Sequence, residues 1–244
     1  MKLELYDRVI VLRNFLNELE QQQLFDLCIT DPLPLIQSAP SYRLWFHLND
    51  SNVSIAPEIQ VLFACALEYI QNELKNRNTF SDDVNAFDTR FYETHVLEQK
   101  EANYYNAKLD DDHQYHKITV IGISYYSKNG KQPVHTDKWS NLNMTLSLGK
   151  SAYFSFKPAK ENCPYKKISI ASGDIVLFPG NEYHHSVQVN ERAALPSWCL
   201  EQDHFKLFSR FNLQMRNMVN PPRRSMRLED KNLKQIENSK RKSH

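Results

Sequence analysis

The chain has 244 residues, with 30 Lys/Arg against 29 Asp/Glu, so its formal charge at neutral pH is +1. That length predicts one large domain with a full core, and five glycines with eleven prolines exclude collagenous or glycine-rich low-complexity sequence. The four cysteines, Cys28, Cys65, Cys163 and Cys199, lie far apart with no CxxC and no Cys–His pairing, which argues against a zinc site or a disulfide scaffold and for a reducing compartment.

No apolar run approaches about 18 residues and no N-terminal run resembles a signal peptide. A soluble, intracellular protein without a membrane partner is therefore expected, with cytoplasm and nucleus not distinguished and a monomer compatible with the sequence. The small net charge conceals an asymmetry. Residues 217–244 carry eight Lys/Arg against three Asp/Glu, leaving 22 basic and 26 acidic residues in the body. The tail is expected to be basic and disordered, and a polyanion-binding groove on the body would have to be a local patch.

Taken in order, Val9–Leu16 predicts a short strand turning into a helix, where Asn17 and Glu20 form a capping box with Asn in place of Ser or Thr. Leu24, Phe25, Leu27 and Cys28 supply the apolar face of that helix, and Asp31-Pro32-Leu33-Pro34 ends it. A loop with Tyr42, Trp45, Phe46 and His47 follows. Pro57 stands at the first-turn position of a second helix, whose Ile59, Leu62, Phe63, Ala66, Ile70 and Leu74 recur at three- and four-residue spacing. From Asp82 to Lys117 the chain is polar and tyrosine-rich, read as one or two strands joined by a mobile loop.

After Lys117 strand-like runs recur about every ten residues: Ile118–Tyr126, Pro133–Asp137, Leu142–Leu148, Ala152–Phe156, Lys167–Ile170, Asp174–Phe178, His185–Val189 and Phe205–Arg216. Asn129-Gly130, Gly149, Gly173 and Gly180-Asn181 punctuate them. Eight short strands at this spacing predict a mainly β (α+β) fold, a double-stranded β-helix or jelly roll. The two N-terminal helices would pack on one outer face. The expected single domain is residues 1–216, with a jelly-roll core of about 118–216.

Three stretches carry chemistry. In His135-Thr136-Asp137 an imidazole and a carboxylate two residues apart on a strand would point the same way. Those are two members of a 2-His-1-carboxylate facial triad for non-haem Fe(II). Nine His and fourteen Asp make such a triplet a coincidence in about one chain of this length in two, and a solvated strand end is the plainer reading. In Tyr183-His184-His185-Ser186-Val187, a strand following a buried strand and a Gly turn would return one imidazole to the first pair. His184 and His185 point to opposite faces, and His185 heads the better strand, although local sequence alone does not decide between them.

The third stretch is Arg210-Phe211-Asn212-Leu213-Gln214-Met215-Arg216. One face is apolar, and the other holds two guanidiniums and two amides. A solvated face would usually mix Lys, Glu and Thr. If this one turns inward, its guanidiniums need an anion, and Arg is suited to a two-pronged grip on a carboxylate. A dicarboxylate cosubstrate answers that need.

The order HxD, about fifty residues, His-Ser-Val, about twenty-five residues, then R-x-N-x-x-x-R resembles the AlkB family of Fe(II)/2-oxoglutarate dioxygenases, over Ile118 to Arg216. The resemblance implies His135, Asp137 and His185 as catalytic iron ligands. His185 rather than His184 follows from the family's placement of the ligand directly before Gly/Ser and a β-branched residue. It implies Arg210 on the distal carboxylate of 2-oxoglutarate, Arg216 near the metal-side carboxylate, and Asn212 between them. Tyr126 and, on the same strand face, Ser124 would also meet the cosubstrate, and Ser147 falls in the family's Ser-Leu-Gly.

The implied reaction turns 2-oxoglutarate and O2 into succinate and CO2 while hydroxylating a C–H bond. An N-methyl group so hydroxylated leaves as formaldehyde, and the implied partner is alkylated DNA or RNA. Two positions depart from the bacterial repair enzyme of the family: Ser124 replaces an asparagine, and Trp139 replaces an acidic residue near the methylated base. Trp45, Phe46 and Trp139 are candidate substrate-facing rings, since an unstacked base gains roughly 1–3 kcal/mol on such a ring; as core plugs they would be unremarkable. Two rivals are the same chemistry on a protein or small molecule, favoured by the acidic body and Trp139, and a jelly-roll binding protein without turnover.

Overall fold

Strands with one apolar and one polar side need two different neighbours, and the arrangement of the sheets supplies both. The computed structural model describes residues 1–28, 41–47, 57–78, 118–137 and 140–218. In chain order the elements are β1 (Lys2–Tyr6), β2 (Val9–Arg13), α1 (Glu18–Cys28), β3 (Ser41–His47), α2 (Pro57–Asn78), β4 (Ile118–Tyr126), β5 (Lys131–His135), β6 (Ser140–Gly149), β7 (Ala152–Pro158), β8 (Lys166–Ile170), β9 (Ile175–Phe178) and β10 (Tyr183–Val189). A 3-10 turn (Ser197–Glu201), a one-turn helix α3 (His204–Leu207) and β11 (Arg210–Met218) complete the set. A seven-stranded sheet runs β1-β2-β9-β6-β11-β4-β3 and a four-stranded sheet runs β5-β10-β7-β8, the two layers of a jelly roll.

The larger sheet has its polar side turned inward. On β6 and β11, Leu148 pairs with Phe211, Leu146 with Leu213 and Met144 with Met215. Those residues join Leu24, Phe25 and Cys28 of α1 and Phe63, Ala66 and Ile70 of α2 in one continuous core. The helices thus cover the apolar face, as expected. The other faces of β6 and β11 carry Asn143, Thr145 and Ser147 and Arg210, Asn212, Gln214 and Arg216, which line a cavity between the sheets. An antiparallel sheet more often gives its polar face to water; here that face encloses a site. Beside the cavity a smaller core, including Val9, Val11, Val176 and Phe178 from one sheet with Phe154, Phe156, Ile168 and Ile170 from the other, holds the layers together.

The α1 end is fastened by polar groups. Asn17 and Glu20 make the reciprocal capping box: Glu20 N–H donates to Asn17 Oδ1 at 3.0 Å and Asn17 N–H to Glu20 Oε2 at 2.8 Å. Buried Gln21 donates to the Leu16 carbonyl at 2.8 Å and accepts from Ser172 Oγ and Trp198 Nε1. Gly173, at φ +82°, donates to the Ser147 carbonyl at 2.7 Å and accepts from Phe15 N–H at 3.0 Å. Next to it Asp174 receives Arg13 Nη1 at 2.7 Å and Asn14 N–H at 3.0 Å. This turn therefore connects α1, β2 and β6.

Several elements differ from the sequence expectation. Tyr42, Trp45, Phe46 and His47 belong to strand β3, paired along β4, and not to a loop. β2 stops at Arg13, four residues are turned before α1 begins, and β1 is an additional strand. Leu27, expected on the apolar face of α1, is 48% exposed. Phe205 to Leu207 is helical, because Phe205 N–H and Lys206 N–H bond back to Gln202 and Asp203 carbonyls in a helical turn; the last strand starts at Arg210 and continues through Asn217 and Met218, where the tail was expected to begin. The stretch from Asp82 to Lys117, the Asp31–Pro34 helix stop and the tail from residue 219 lie outside the described residues. No helix among the described residues is long and apolar enough to cross a membrane.

A Cβ on Gly173 would sit 2.6 Å from the Leu16 carbonyl oxygen, in a backbone region that L-residues avoid. Gly173→Ala is expected to lower the unfolding free energy by about 1–3 kcal/mol, read as a lower urea midpoint at unchanged m-value.

Candidate metal centre

The site starts from a strand pairing. β10 pairs antiparallel with β5 so that His185 stands opposite His135, and the ring centroids lie 4.2 Å apart. His185 takes the inward face of β10 and is 3% exposed; its neighbour His184 takes the other face and does not line the cavity. Asp137 joins them by a route other than strand alternation. β5 ends at His135, and Asp137 lies beyond it, fixed by its own N–H donating to the Gly180 carbonyl at 2.8 Å. The turn between β9 and β10 therefore sets the carboxylate.

Asp137 Oδ1 is 3.5 Å from His135 Nε2, and Oδ2 is 3.3 Å from His185 Nε2. One ligand atom from each of the three falls within 4.8 Å of the others. Each imidazole is oriented by a backbone carbonyl, His135 Nδ1 donating to Pro133 O at 2.8 Å and His185 Nδ1 to Tyr183 O at 3.1 Å. A neutral ring that donates from Nδ1 presents a lone pair at Nε2. Burial opposes protonation of His185, against the pull of Asp137. Two imidazole nitrogens and one carboxylate are a donor set that fits Fe(II).

Asp137 is held from both sides. Asn143 Nδ2 donates to Oδ2 and Arg216 Nη1 to Oδ1 at 2.9 Å. Arg216 Nη2 donates to Gln214 Oε1 at 3.1 Å, and Gln214 Nε2 donates to Ser124 Oγ at 3.2 Å. Burial by itself would raise the carboxyl's pKa, but the bonds from the two histidines and the Arg216 charge hold it well below the usual carboxylate range. Asp137 is thus an anion at any ordinary pH.

Arg210 is placed differently. It is 2% exposed; Nη1 donates to the Lys150 carbonyl at 2.8 Å and Nη2 to Ser147 Oγ. Its Nε has no hydrogen-bond partner, nor has the nearby buried Asn212 Oδ1. Among the described residues no carboxylate pairs with Arg210. Burial draws this guanidinium down to about 10, opposed by Tyr126 and Asp174, so keeping it charged at pH 7 costs on the order of 3 kcal/mol. Tyr126, Ser147, Asn212 and Arg210 line the same cavity as His135, His185 and Arg216.

The chain shares a known architecture. Its structure matches that of OsALKBH1 with a TM-score of 0.56, covering 88% of this chain and 99% of that one at 16% sequence identity. The fold is that of OsALKBH1. A 2OG-Fe(II) oxygenase-family oxidoreductase from Burkholderia pseudomallei (TM-score 0.29, 17% identity, 41% of each chain) and the ribosomal oxygenase YcfD from Escherichia coli (0.30, 12%, 45% of this chain and 25% of that) also match. No family model matches the chain, and no curated protein matches it by sequence.

The sequence-derived residues converge in large part. His135, His185, Arg210, Asn212, Arg216, Tyr126 and Ser147 line one cavity, and Asp137 lies against His135, His185 and Arg216. Ser124 is buried but does not line the cavity, its hydroxyl accepting from Gln214. Trp45 and Phe46 are registered opposite Gly122 and Ile121 on β4, and Trp139 lies outside the described residues. Sequence reading missed Asn143 and Thr145. The signal was alternation: Asn143, Thr145 and Ser147 are the polar face of β6 as Arg210 to Arg216 are of β11.

Loss of the Asn143 amide would leave Asp137 Oδ2 without that donor. Asn143→Ala is expected to weaken Co(II) binding about 10–100-fold and to alter the ligand-field spectrum of the bound ion, while His184→Ala changes neither and His185→Ala abolishes both.

Proposed function

We propose that the protein is an Fe(II)/2-oxoglutarate-dependent dioxygenase that demethylates alkylated nucleic acid. The observation that carries the cosubstrate assignment is Arg210, a buried guanidinium with no carboxylate partner among the described residues, facing the same cavity as His135 and His185. A buried cation in that condition calls for an anion from outside. A dicarboxylate long enough to touch both Arg210 and the metal ligands supplies it.

In this reading His135, Asp137 and His185 hold the metal; backbone carbonyls orient the two rings through Nδ1, and the partners of Asp137 keep its carboxylate charged. Arg210, with Ser147 aligning it, takes the distal carboxylate; Tyr126 and Asn212 add polar contacts along the chain of the keto acid. Arg216 neutralises Asp137 and adds positive charge at the metal-side end of the cavity. Phe154 and Phe178 pack against His185, with ring centroids at 6.0 and 4.7 Å, and keep that side dry. Bound there, the iron and the keto acid together supply oxidation of a substrate C–H bond by O2, with succinate and CO2 as co-products.

The nucleic-acid substrate rests on the sequence motifs and on the AlkB-type fold. A hydroxylated N-methyl carbon would release formaldehyde without further help from the protein. The acidic balance of residues 1–216 keeps a peptide substrate as the competing reading.

With Fe(II), 2-oxoglutarate and air, methylated oligonucleotides should yield succinate and formaldehyde in equal amounts; turnover only with methylated peptides would sink the nucleic-acid assignment. Arg210→Met should raise the KM for 2-oxoglutarate by about 30-fold or more, since removing one partner of a buried charge pair costs 2 kcal/mol or more. In a thermal melt with Mn(II), 2-oxoglutarate should raise the Tm of the native chain and leave that of Arg210→Met unchanged.

A further inference from the structure

The solvent face of the four-stranded sheet lies on the reverse of the cavity wall, and it has a composition unlike the rest of the body. Strands β5, β7, β8 and β10 together contain four lysines and no Asp or Glu, within a body of 22 basic and 26 acidic residues. Alternation sends Tyr153, Ser155 and Lys157 of β7 outward, since Ala152, Phe154 and Phe156 are buried. In register beside them lie Gln188, Ser186 and His184 of β10 on one side, and Ser169 and Lys167 of β8 on the other. Lys131 of β5 is paired with Gln188. Tyr165, 42% exposed, precedes β8. Lys167 Nζ lies 4.0 Å from the centre of the Tyr153 ring and Lys157 Nζ 5.2 Å from that of Tyr165.

We propose that this face docks single-stranded nucleic acid, with Tyr153 and Tyr165 stacking on bases and Lys157, Lys167 and Lys131 neutralising phosphates. Aromatic rings with cations beside them on an open sheet are the combination that holds single strands without reading sequence. Lysines clustered on an acid-free sheet concentrate positive potential where the net-acidic body would otherwise repel a polyanion. The placement suits the active site, because β5 is both the edge of this sheet and the strand that carries His135, whose side chain is 25% exposed. A strand lying over the sheet and crossing β5 arrives beside that ligand. This inference deepens the nucleic-acid reading and names a surface for it outside the cavity.

The test is fluorescence anisotropy of an unmodified, labelled single-stranded oligonucleotide of about 15 nucleotides with the full chain, so that the basic tail is the same in every variant. Joint Lys157→Gln and Lys167→Gln substitution should weaken binding at least tenfold. It should also flatten the slope of log K against log salt by about 1.4, at roughly 0.7 per phosphate contact on a single strand. Tyr153→Leu should weaken binding at least fivefold with the slope unchanged, and Tyr153→Phe should restore it. Joint Lys2→Gln and Lys206→Gln, two exposed lysines elsewhere, should have no effect.

Equal losses from the two lysine pairs, or full binding by Tyr153→Leu, would overturn the docking face. Formaldehyde release is scored separately. Binding without turnover would count against the demethylase reading alone, and turnover with unchanged binding in both lysine and tyrosine variants would count against the docking face alone.

Discussion

Because β10 pairs with β5 so that His185 stands opposite His135, a slip of one residue would present His184 or Ser186 to Asp137 instead. The pairing is fixed elsewhere than at the site. On its other side β10 runs unbroken along β7, from Tyr183 opposite Pro158 to Val189 opposite Ala152, and the inward residues of that ladder, Phe154, Phe156 and Tyr183, lie in the small inter-sheet core. Moving β10 by one position would turn Tyr183 and Val189 out of that core and bring His184, Ser186 and Gln188 inward. The apolar side of the four-stranded sheet thus holds the two imidazoles in place.

The polar interior depends on a further balance. Asp137, Arg216, Gln214 and Ser124 form a hydrogen-bonded chain through both Arg216 Nη atoms and Gln214 Nε2, and Asn143 closes the other side of the carboxylate. Buried polar groups are tolerable when such a network is satisfied. Arg210 and Arg216 sit six residues apart on the same face of β11 yet differ in this respect. The charge of Arg216 is answered within the protein by Asp137, whereas among the described residues that of Arg210 is answered by a carbonyl and a hydroxyl. One arginine completes the folded protein's electrostatics, and the other leaves them incomplete in the direction of a ligand.

How much of this could be read in the sequence follows from where each signal resides. The strands after residue 118 were legible because their alternation and their Gly turns are local, and the Asn17–Glu20 cap was legible for the same reason. β3 was not: Tyr42 to His47 has no alternation to mark it and becomes a strand through its ladder with β4, 73 to 83 residues away. Phe205 to Leu207 misled for the opposite reason, being apolar and aromatic enough for a strand while its amides close a helical turn. His185 was separable from His184 on family resemblance and not on local chemistry; the β10 pairing supplies the missing reason. Asn143 was the least visible, because its role depends on the β9–β10 turn bringing Gly180 and Asp137 to it, and no short motif encodes that meeting.

The inverted larger sheet also separates stability from function. Its outward side, where Leu146, Leu213 and Phe211 meet Phe25 and Phe63, buries apolar surface and favours folding by roughly 1.5–3 kcal/mol per large side chain. Its inward side contributes little of that kind and includes, in Arg210, a desolvated charge that opposes folding. Such a face is tolerated because the helices have already covered the other one. The inward positions of β6 and β11 are therefore free to be set by what the cavity must bind, and they hold the residues that a general stabilising change would replace first.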